Sequence, residues 1–441
     1  MRLKRLTAGL ACAAALFAAA PSSAQDSIYV PNNSYRTGPF SGSGIPIGDG
    51  MRDYMTMLNE RDGGIGGVRI VFEECETGYD TKKSIECYEQ AVAKKAVIYS
   101  PWSTGATLAA IPRAAVDKIP VLSMAYGLSA AADGTVFPWI FNPPLTYWDG
   151  ASAFIRYVAE REGGLDKLRG KRIGLLHLDA PFGREPIPLM ENLAREYGFE
   201  LRLYPVPAAE MQNQGSVWLN VRRDRVDWIY NQGWGAMNPT AVSSAIRNGF
   251  PIDKLVGVWW AGGDDDARAG GAQAKGYKAL SFNAAGTNFP VIQDILKHVV
   301  DKRLSLVSDR SKVGEMLYNR GVYNAMLIAE GIRTAQALTG KKVVNGEDVR
   351  RGLEALNVTE ARLKELGMEG MVGAVRVTCN DHSGHHKVFV AEWDGAKWGQ
   401  ATPYFEPMRD RVRPLIEAAA KDYVEKNPGW PKRAEACAGQ S

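Results

Sequence analysis

The sequence predicts an α/β fold made of two parallel sheets in series, each flanked by helices. Three observations carry this reading. Short apolar runs alternate with segments of helical period almost from the start of the chain. The alternation halts at Pro143-Pro144 and then begins afresh. Two long helical patterns, over 289–302 and 314–339, come late and are followed by a pair of strands. Short apolar strands separated by helices mark parallel sheets covered on both faces.

The elements follow in order. "SIYV" is the first strand, and the glycine-rich stretch "TGPFSGSGIPIGDG" (37–50) after it reads as a loop. Met51, Tyr54, Met55 and Leu58 recur at helical spacing, and Gly63-Gly64 closes that helix. "VRIVFEE" is a strand, "SIECYEQAVAKK" a helix, "AVIYSP" a strand, "ATLAAIPRAAVDK" a helix and "IPVLSM" a strand. After the proline pair come the helix "YWDGASAFIRYVAERE", the strand "RIGLLHL", the helix "EPIPLMENLAREYG" and the strand "ELRLYPV". "VDWIYNQ", "LVGVWW" and "YKALSFN" continue the strands. "AVRVTC" and "HKVFVAEWDGAKW" are late strands, with a turn at Asp394-Gly395.

The first 24 residues bear on compartment. Arg2, Lys4 and Arg5 precede an apolar run over 6–20, and the small residues Ser22 and Ala24 stand before a cut ahead of Gln25. This is the layout of a secretory signal peptide over 1–24, with an apolar part short for a membrane span. Cys12 lies too early in that run to suit a lipid anchor. No later apolar run is long enough for a bilayer, so no membrane insertion is expected. The net charge of +4 falls to +1 without the three leader cations, which offers no footprint for nucleic acid. Four cysteines then remain: Cys75, Cys87, Cys379 and Cys437. An even number in an oxidising compartment reads as two disulfides. Closeness in sequence favours Cys75 with Cys87, leaving Cys379 with Cys437. A zinc site of four thiolates would want C-x-x-C spacing, which is missing.

Ligands of open parallel sheets sit beyond the carboxyl ends of the strands. The strand ends here repeat one chemistry: Ser100-Pro101-Trp102-Ser103-Thr104, Ala125-Tyr126-Gly127, Asp179-Ala180-Pro181-Phe182-Gly183, Asn231-Gln232-Gly233-Trp234, and Trp259-Trp260-Ala261-Gly262-Gly263-Asp264. Each offers an aromatic ring with small and hydrogen-bonding neighbours, which is how a small-molecule pocket is lined. Ordinary core packing of large hydrophobes is the alternative. Segment 103–107 joins a strand to a helix, so its N–H groups and hydroxyls suit an anion; a plain N-cap would use the same residues. The glycines of 37–50 approach a dinucleotide fingerprint, and Glu73 or Glu74 could act as the ribose acid. The third glycine is one residue late, however, and the strand is several residues away. Export also argues against a nicotinamide cofactor, so no cofactor is expected. The glycines read better as permitting close approach to a ligand or to the opposite lobe, with Ser43 among them.

The segments "TGPFSGSG", "LNERDGGIGGVRIVFEECE", "WSTGATLAAIP" and "IPVLSMAYG" resemble the branched-chain amino acid-binding proteins. These are periplasmic type I substrate-binding proteins that serve ABC importers. "RIGLLHLDAPFGRE", "VDWIYNQGWGAMNPTAVSSAIRNG" and "MVGAVRVTCNDHSGHHKVFVAEWDG" extend the likeness over nearly the whole exported chain. The resemblance implies two α/β lobes joined by three crossings, near residues 145, 283 and 374. It places 25–145 with 284–374 in an N-terminal lobe, and 146–283 with 375–441 in a C-terminal lobe. It also implies that Ser103, Thr104 and nearby N–H groups hold a ligand carboxylate. Ala125, Tyr126 and Gly127 would add contacts, with Phe182 and Trp234 closing over the ligand. Trp102 and Trp260 complete the expected walls. The family's acid for an α-ammonium falls at Ala261 here, and Asp264 stands three residues on. A buried ammonium without a carboxylate is costly. The expected ligand is therefore a carboxylate without an α-amino group, such as an aromatic acid, with amino acids as the alternative.

Other constellations yield to simpler accounts. His382, His385 and His386, with Cys379 and Asp381 near, could hold a metal, but a turn between strands explains them. Asp264-Asp265-Asp266 lacks the oxygen spacing of a calcium loop. No nucleophile elbow is present, and His177 has no evident catalytic partner among the five histidines. The chain is expected to be a monomeric, non-enzymatic periplasmic binding protein that works with ABC permease subunits. A ligand-sensing co-receptor and an exported enzyme are the alternatives.

Overall fold

The computed structural model describes residues 26–431 except His385, together with Arg433 and residues 435–437. The expected signal peptide over 1–24, like His385, lies outside the described residues.

The first unit opens with β1 (Ser27–Ser34), α1 (Ser41–Asp62) and β2 (Arg69–Glu76). β1 and β2 are parallel, in register from Ser27 opposite Arg69 to Ser34 opposite Glu76. α2 (Thr81–Ala93), α3 (Thr104–Asp117), β3 (Val121–Leu122) and β4 (Ile140–Phe141) follow. The expected strand over 96–101 holds its place in the layer with a broken ladder. Val97 N donates to Tyr29 O (3.2 Å), Tyr99 N to Pro120 O (2.9 Å), and Leu122 N to Tyr99 O (2.9 Å). Pro101 and Pro120 bring no N–H to the ladder, which keeps these strands short.

Segment 37–50 differs from expectation. It is not a loop up to Gly50, because α1 begins at Ser41 and takes in Gly42, Gly44, Gly48 and Gly50. Glycine is a poor helix former, so tertiary packing has to favour the helix. It does: a Cβ on Gly50 would overlap the Tyr318 carbonyl, and one on Gly321 would overlap the Ile47 carbonyl. The two helices touch backbone to backbone, and side chains would force them apart.

The second unit begins with α4 (Tyr147–Glu162), started by a capping box. Thr146 Oγ1 accepts from Asp149 N (3.2 Å) while Asp149 Oδ2 accepts from Thr146 N (2.8 Å). Then come β5 (Arg172–Leu178), α5 (Pro181–Arg184), α6 (Ile187–Tyr197), β6 (Glu200–Val206) and α7 (Gly215–Asp224). β7 (Trp228–Gln232), α8 (Met237–Arg247), β8 (Leu255–Gly257), α9 (Asp264–Arg268) and β9 (Lys278–Ser281) complete the run.

The chain then returns to the first unit with α10 (Pro290–Ile295), α11 (Met316–Thr339), α12 (Gly346–Glu354), β10 (Asn357–Val358), α13 (Glu360–Glu365) and β11 (Val375–Arg376). α11 lies along α1, as the paired glycines require. β12 (Phe389–Trp393) and β13 (Trp398–Gln400) cross back and extend the second sheet, whose order is β13-β12-β9-β8-β7-β5-β6. β5 to β9 are parallel, and β12 and β13 are antiparallel additions. Their hairpin turns at Asp394-Gly395, where Asp394 Oδ1 accepts from Ala396 N (2.8 Å) and Lys397 N (2.9 Å).

The segment expected to close the C-terminal lobe, 375–441, makes contacts with both units among its described residues. The last helix, α14 (Arg409–Lys426), packs on both α4 and the turn Ser129–Ala132 of the first unit. Beyond it, Trp430 Nε1 donates to Val136 O (2.8 Å), and Tyr423 and Trp430 pack on Phe137. The tail is thus a strap across both units, drawn to the first by apolar aromatic contact. Disulfides join Cys75 to Cys87 and Cys379 to Cys437, with Cα separations of 5.9 and 5.5 Å. The second bond fixes the end of the strap.

Candidate ligand-binding site

The strand ends of the two units face one another. In the first unit, Trp102 closes the 97–99 strand with φ of +51°, and Ala125 follows β3 with φ of +50°. Left-handed backbone at non-glycine residues costs about 1–3 kcal/mol and clusters where function holds it. Ser103 is extended and caps α3, accepting from Ala106 N at 3.4 Å. The N-cap role is therefore its observed one. Thr107 Oγ1 donates to Ser103 O (2.8 Å) and bonds Ser123 Oγ (2.7 Å), which ties the two loops together. Gly127 N donates to Thr104 Oγ1 (3.4 Å), and a Cβ on Gly127 would collide with Thr104 and with the Glu185 carboxylate.

From the second unit, Phe182 in α5 meets Tyr147 edge-on at 5.3 Å, and Tyr147 stacks on Trp259 at 5.5 Å. Trp260 is the bridge. Its ring stacks on Tyr126 at 4.4 Å, lies 5.4 Å from Trp234 and 6.4 Å from Trp102, and its Nε1 donates to Tyr147 OH at 2.9 Å. Trp234 continues the contact to Tyr126 (6.4 Å) and to Tyr35 (6.1 Å). Rings from both sheets thus form one buried cluster, with Trp102, Tyr126, Phe182, Trp234 and Trp260 each at most 3 % exposed.

Hydroxyls punctuate this cluster. Tyr35 OH and Tyr126 OH lie 3.4 Å apart. Burial pushes the Tyr35, Tyr126 and Tyr147 phenols well above their ordinary range, so each keeps its proton and stays a donor. Outside the rings, Ala236 N donates to Pro39 O (2.9 Å), and Gly235 sits against Phe40 without room for a Cβ. The close approach between units expected of the glycines in 37–50 falls instead on Gly235. Ser43 lies buried in the first turn of α1, its N–H bonded to Phe40 O (3.1 Å). The ring that this segment contributes is Phe40, packed on Tyr79 at 4.3 Å.

Asp264, the expected acid of the site, has its Oδ2 accepting from Met316 N (2.8 Å), so it satisfies the start of α11. Burial pushes its carboxyl up to about 7. Ala261, where the family's acid was expected, uses its carbonyl to accept from Tyr277 OH (2.6 Å). The acid that does reach the cluster is Glu185. Its side chain crosses from the second unit to accept from Ser129 N and lie on Gly127, and burial pushes its carboxyl up to about 7.

The strand-end rule could have found Tyr35 after β1 and Tyr79 after β2, since they obey the same pattern as the residues it did find. Tyr147 opens α4, where the alternation restarts, and Trp259 adjoins Trp260. Nothing in the sequence marks Glu185, because only the facing of the two sheets brings it to Gly127. The histidines part company: His382 Nδ1 bonds Ile140 O (2.6 Å), while His386 pairs with Asp381 (3.2 Å). A separate surface cavity of about 260 Å³, lined by Phe137, Trp139, Arg350 and Trp430 among others, shares no residue with the ring cluster.

Comparison with known proteins places this geometry. Residues 27–398 match the family model described as periplasmic binding protein. The chain belongs to the periplasmic binding protein family. No curated protein matches it in sequence. A solved structure from the Pseudomonas fluorescens group, described as an ABC transporter permease, is 38% identical with a TM-score of 0.85, covering 93% of this chain and 100% of that one. A branched chain amino acid ABC transporter protein from Thermus thermophilus with bound valine is 21% identical with a TM-score of 0.75, covering 89% and 99%. A solute-binding protein from R. palustris in complex with benzoate is 15% identical with a TM-score of 0.66, covering 87% and 98%. The last two share the fold. This periplasmic binding protein has the type I architecture of two α/β lobes.

Proposed function

We propose that this periplasmic binding protein captures a small organic carboxylate, by preference an aromatic acid, by closing its two lobes around it. The observation that carries the reading is the single ring cluster: Tyr126 of one lobe stacks on Trp260 of the other at 4.4 Å, beside hydroxyls that remain donors. Flat apolar walls with a few hydrogen-bond donors suit a planar acid. Ser103, Thr104 and Tyr126 would fix the carboxylate, with Trp102, Phe182 and Trp234 covering the ring. The lobes would rotate about the segments near 145, 283 and 374, and closure is favoured because ligand meets both lobes only in the closed state. The 1–24 segment would direct export. Proteins of this fold hold benzoate and 4-hydroxybenzoate, which supports the ligand class.

One observation favours an amino acid instead. Glu185 supplies, from another position, a carboxyl that an ammonium could meet. Titration of the purified protein with benzoate-like acids and with leucine separates the two. Tight leucine binding with none for the aromatic acids would defeat the preferred reading, and turnover of the ligand in place of stoichiometric binding would defeat both.

A further inference from the structure

Arg320 in α11 is wholly buried at 0% exposure, and its partners are neutral. Nε donates to Asn283 Oδ1 (2.9 Å), one terminal nitrogen to Ser281 Oγ (3.1 Å), and the other to the Trp259 carbonyl. The faces of Phe282 and Trp260 lie 4.7 and 5.2 Å from its guanidinium carbon. Arg350, the other arginine in the buried class among the described residues, has a carboxylate partner, Glu354, at 2.9 Å. Burial lowers the Arg320 pKa to about 9, and the titratable group that acts on it is the Tyr126 phenol. At neutral pH it is therefore an interior cation whose partners among the described residues are dipoles and ring faces. Such a charge is expensive unless something negative completes it.

Its place says what that something is. The ring it touches, Trp260, also stacks on Tyr126 and donates to Tyr147, at the centre of the interlobe cluster. The ring residues of that cluster carry no positive charge of their own. Among the described residues, the carboxyl that reaches it is Glu185, which lies beside Thr104 and Gly127 and accepts from Ser129 N.

We infer that Arg320 is the charge-selecting residue of the ligand site, the cation that makes the closed cleft prefer an anion to a neutral molecule of the same shape. This rests on the proposed ligand-capturing function. The field acts through the Trp260 ring and the oriented Asn283 and Ser281 dipoles, in a dry interior where it is little screened.

The test uses acid and amide pairs, because the amide removes the negative charge and keeps the outline. Calorimetric titration of the full-length exported protein would compare benzoate with benzamide and leucine with leucinamide. Whichever pair binds, the wild type should prefer the acid by about tenfold or more, one decade being about 1.4 kcal/mol. Arg320→Gln, which keeps amide donors and loses the charge, should bring that ratio close to one. Arg320→Lys should retain most of it. A folded Arg320→Gln protein with an unchanged ratio overturns the inference, since a merely structural role would lower both affinities alike. Should that variant fail to fold, the wild-type ratio and the Lys variant decide: a wild-type ratio near one, or its loss in Lys despite the retained charge, overturns it. Failure of every acid to bind the wild type would instead defeat the proposed function itself.

Discussion

Replacing Gly50 by alanine should destabilise the protein, although helix propensity alone says the opposite. A Gly→Ala change inside a helix returns about 1 kcal/mol. At Gly50 the new Cβ would overlap the Tyr318 carbonyl oxygen, with that carbonyl carbon at 3.0 Å and Val322 N at 3.1 Å. These are backbone atoms, so no side chain can swing aside. α11 is buried along most of its length, so it cannot simply retreat. Overpacking of this kind costs about 1–3 kcal/mol, and a backbone clash belongs at the upper end. The net expectation is a loss of about 2 kcal/mol once the propensity gain is subtracted. Gly42 is the control. It lies in the same helix with no heavy atom within 4 Å of its would-be Cβ, so Gly42→Ala should stabilise by about 0.5 kcal/mol. Urea midpoints with their slopes measure both variants. Gly50→Ala at or above wild-type stability would refute the packing account of the glycine-rich stretch.

Serine replacement of Cys379 and Cys437 opens a loop of sequence separation 58 and should cost about 4 kcal/mol on the chain-entropy model. The same change at Cys75 and Cys87, separation 12, should cost about 3 kcal/mol; urea denaturation of each pair tests the order. Glu185 has a folded pKa raised to about 7 from an ordinary 4.5, so its contribution is fully present below pH 4.5 and is lost as pH rises through 7. Glu185→Gln should therefore gain on the wild type between those values. Urea midpoints at pH 5 and 8 check the sign, and a constant gap would refute it. Trp260→Phe keeps a ring on Tyr126 but removes the donor to Tyr147 OH. It should cost about 1–2 kcal/mol in stability and weaken capture of the ligand that the titrations identify.

Much of the architecture was legible because the strands of β5 to β9 are short, apolar and separated by strong helical periods. The strands over 172–178 and 200–206 and the helix over 147–162 have the expected limits, since caps and alternation act locally there. The first sheet was harder to read. Pro101 and Pro120 interrupt its ladder, so a run such as "IPVLSM" is strand for only two residues. The helix over 41–50 was misread because its glycines answer to α11, some 270 residues away in the chain. The ring cluster was legible in kind, through aromatic strand ends, while the bond of Asp264 to the start of α11 was not, because a charge in sequence does not reveal which helix end it will meet.

The sequence by itself determined the alternation of strands and helices, the two-sheet order and the residues that stand at the strand ends, since these depend on local period and capping. The tertiary structure alone decided which of those residues meet. Facing the two sheets brings Glu185 to Gly127, sets Arg320 behind Trp260, and draws the C-terminal strap across both units. Contacts between distant segments follow from how whole surfaces pack, and no short window of residues carries that information.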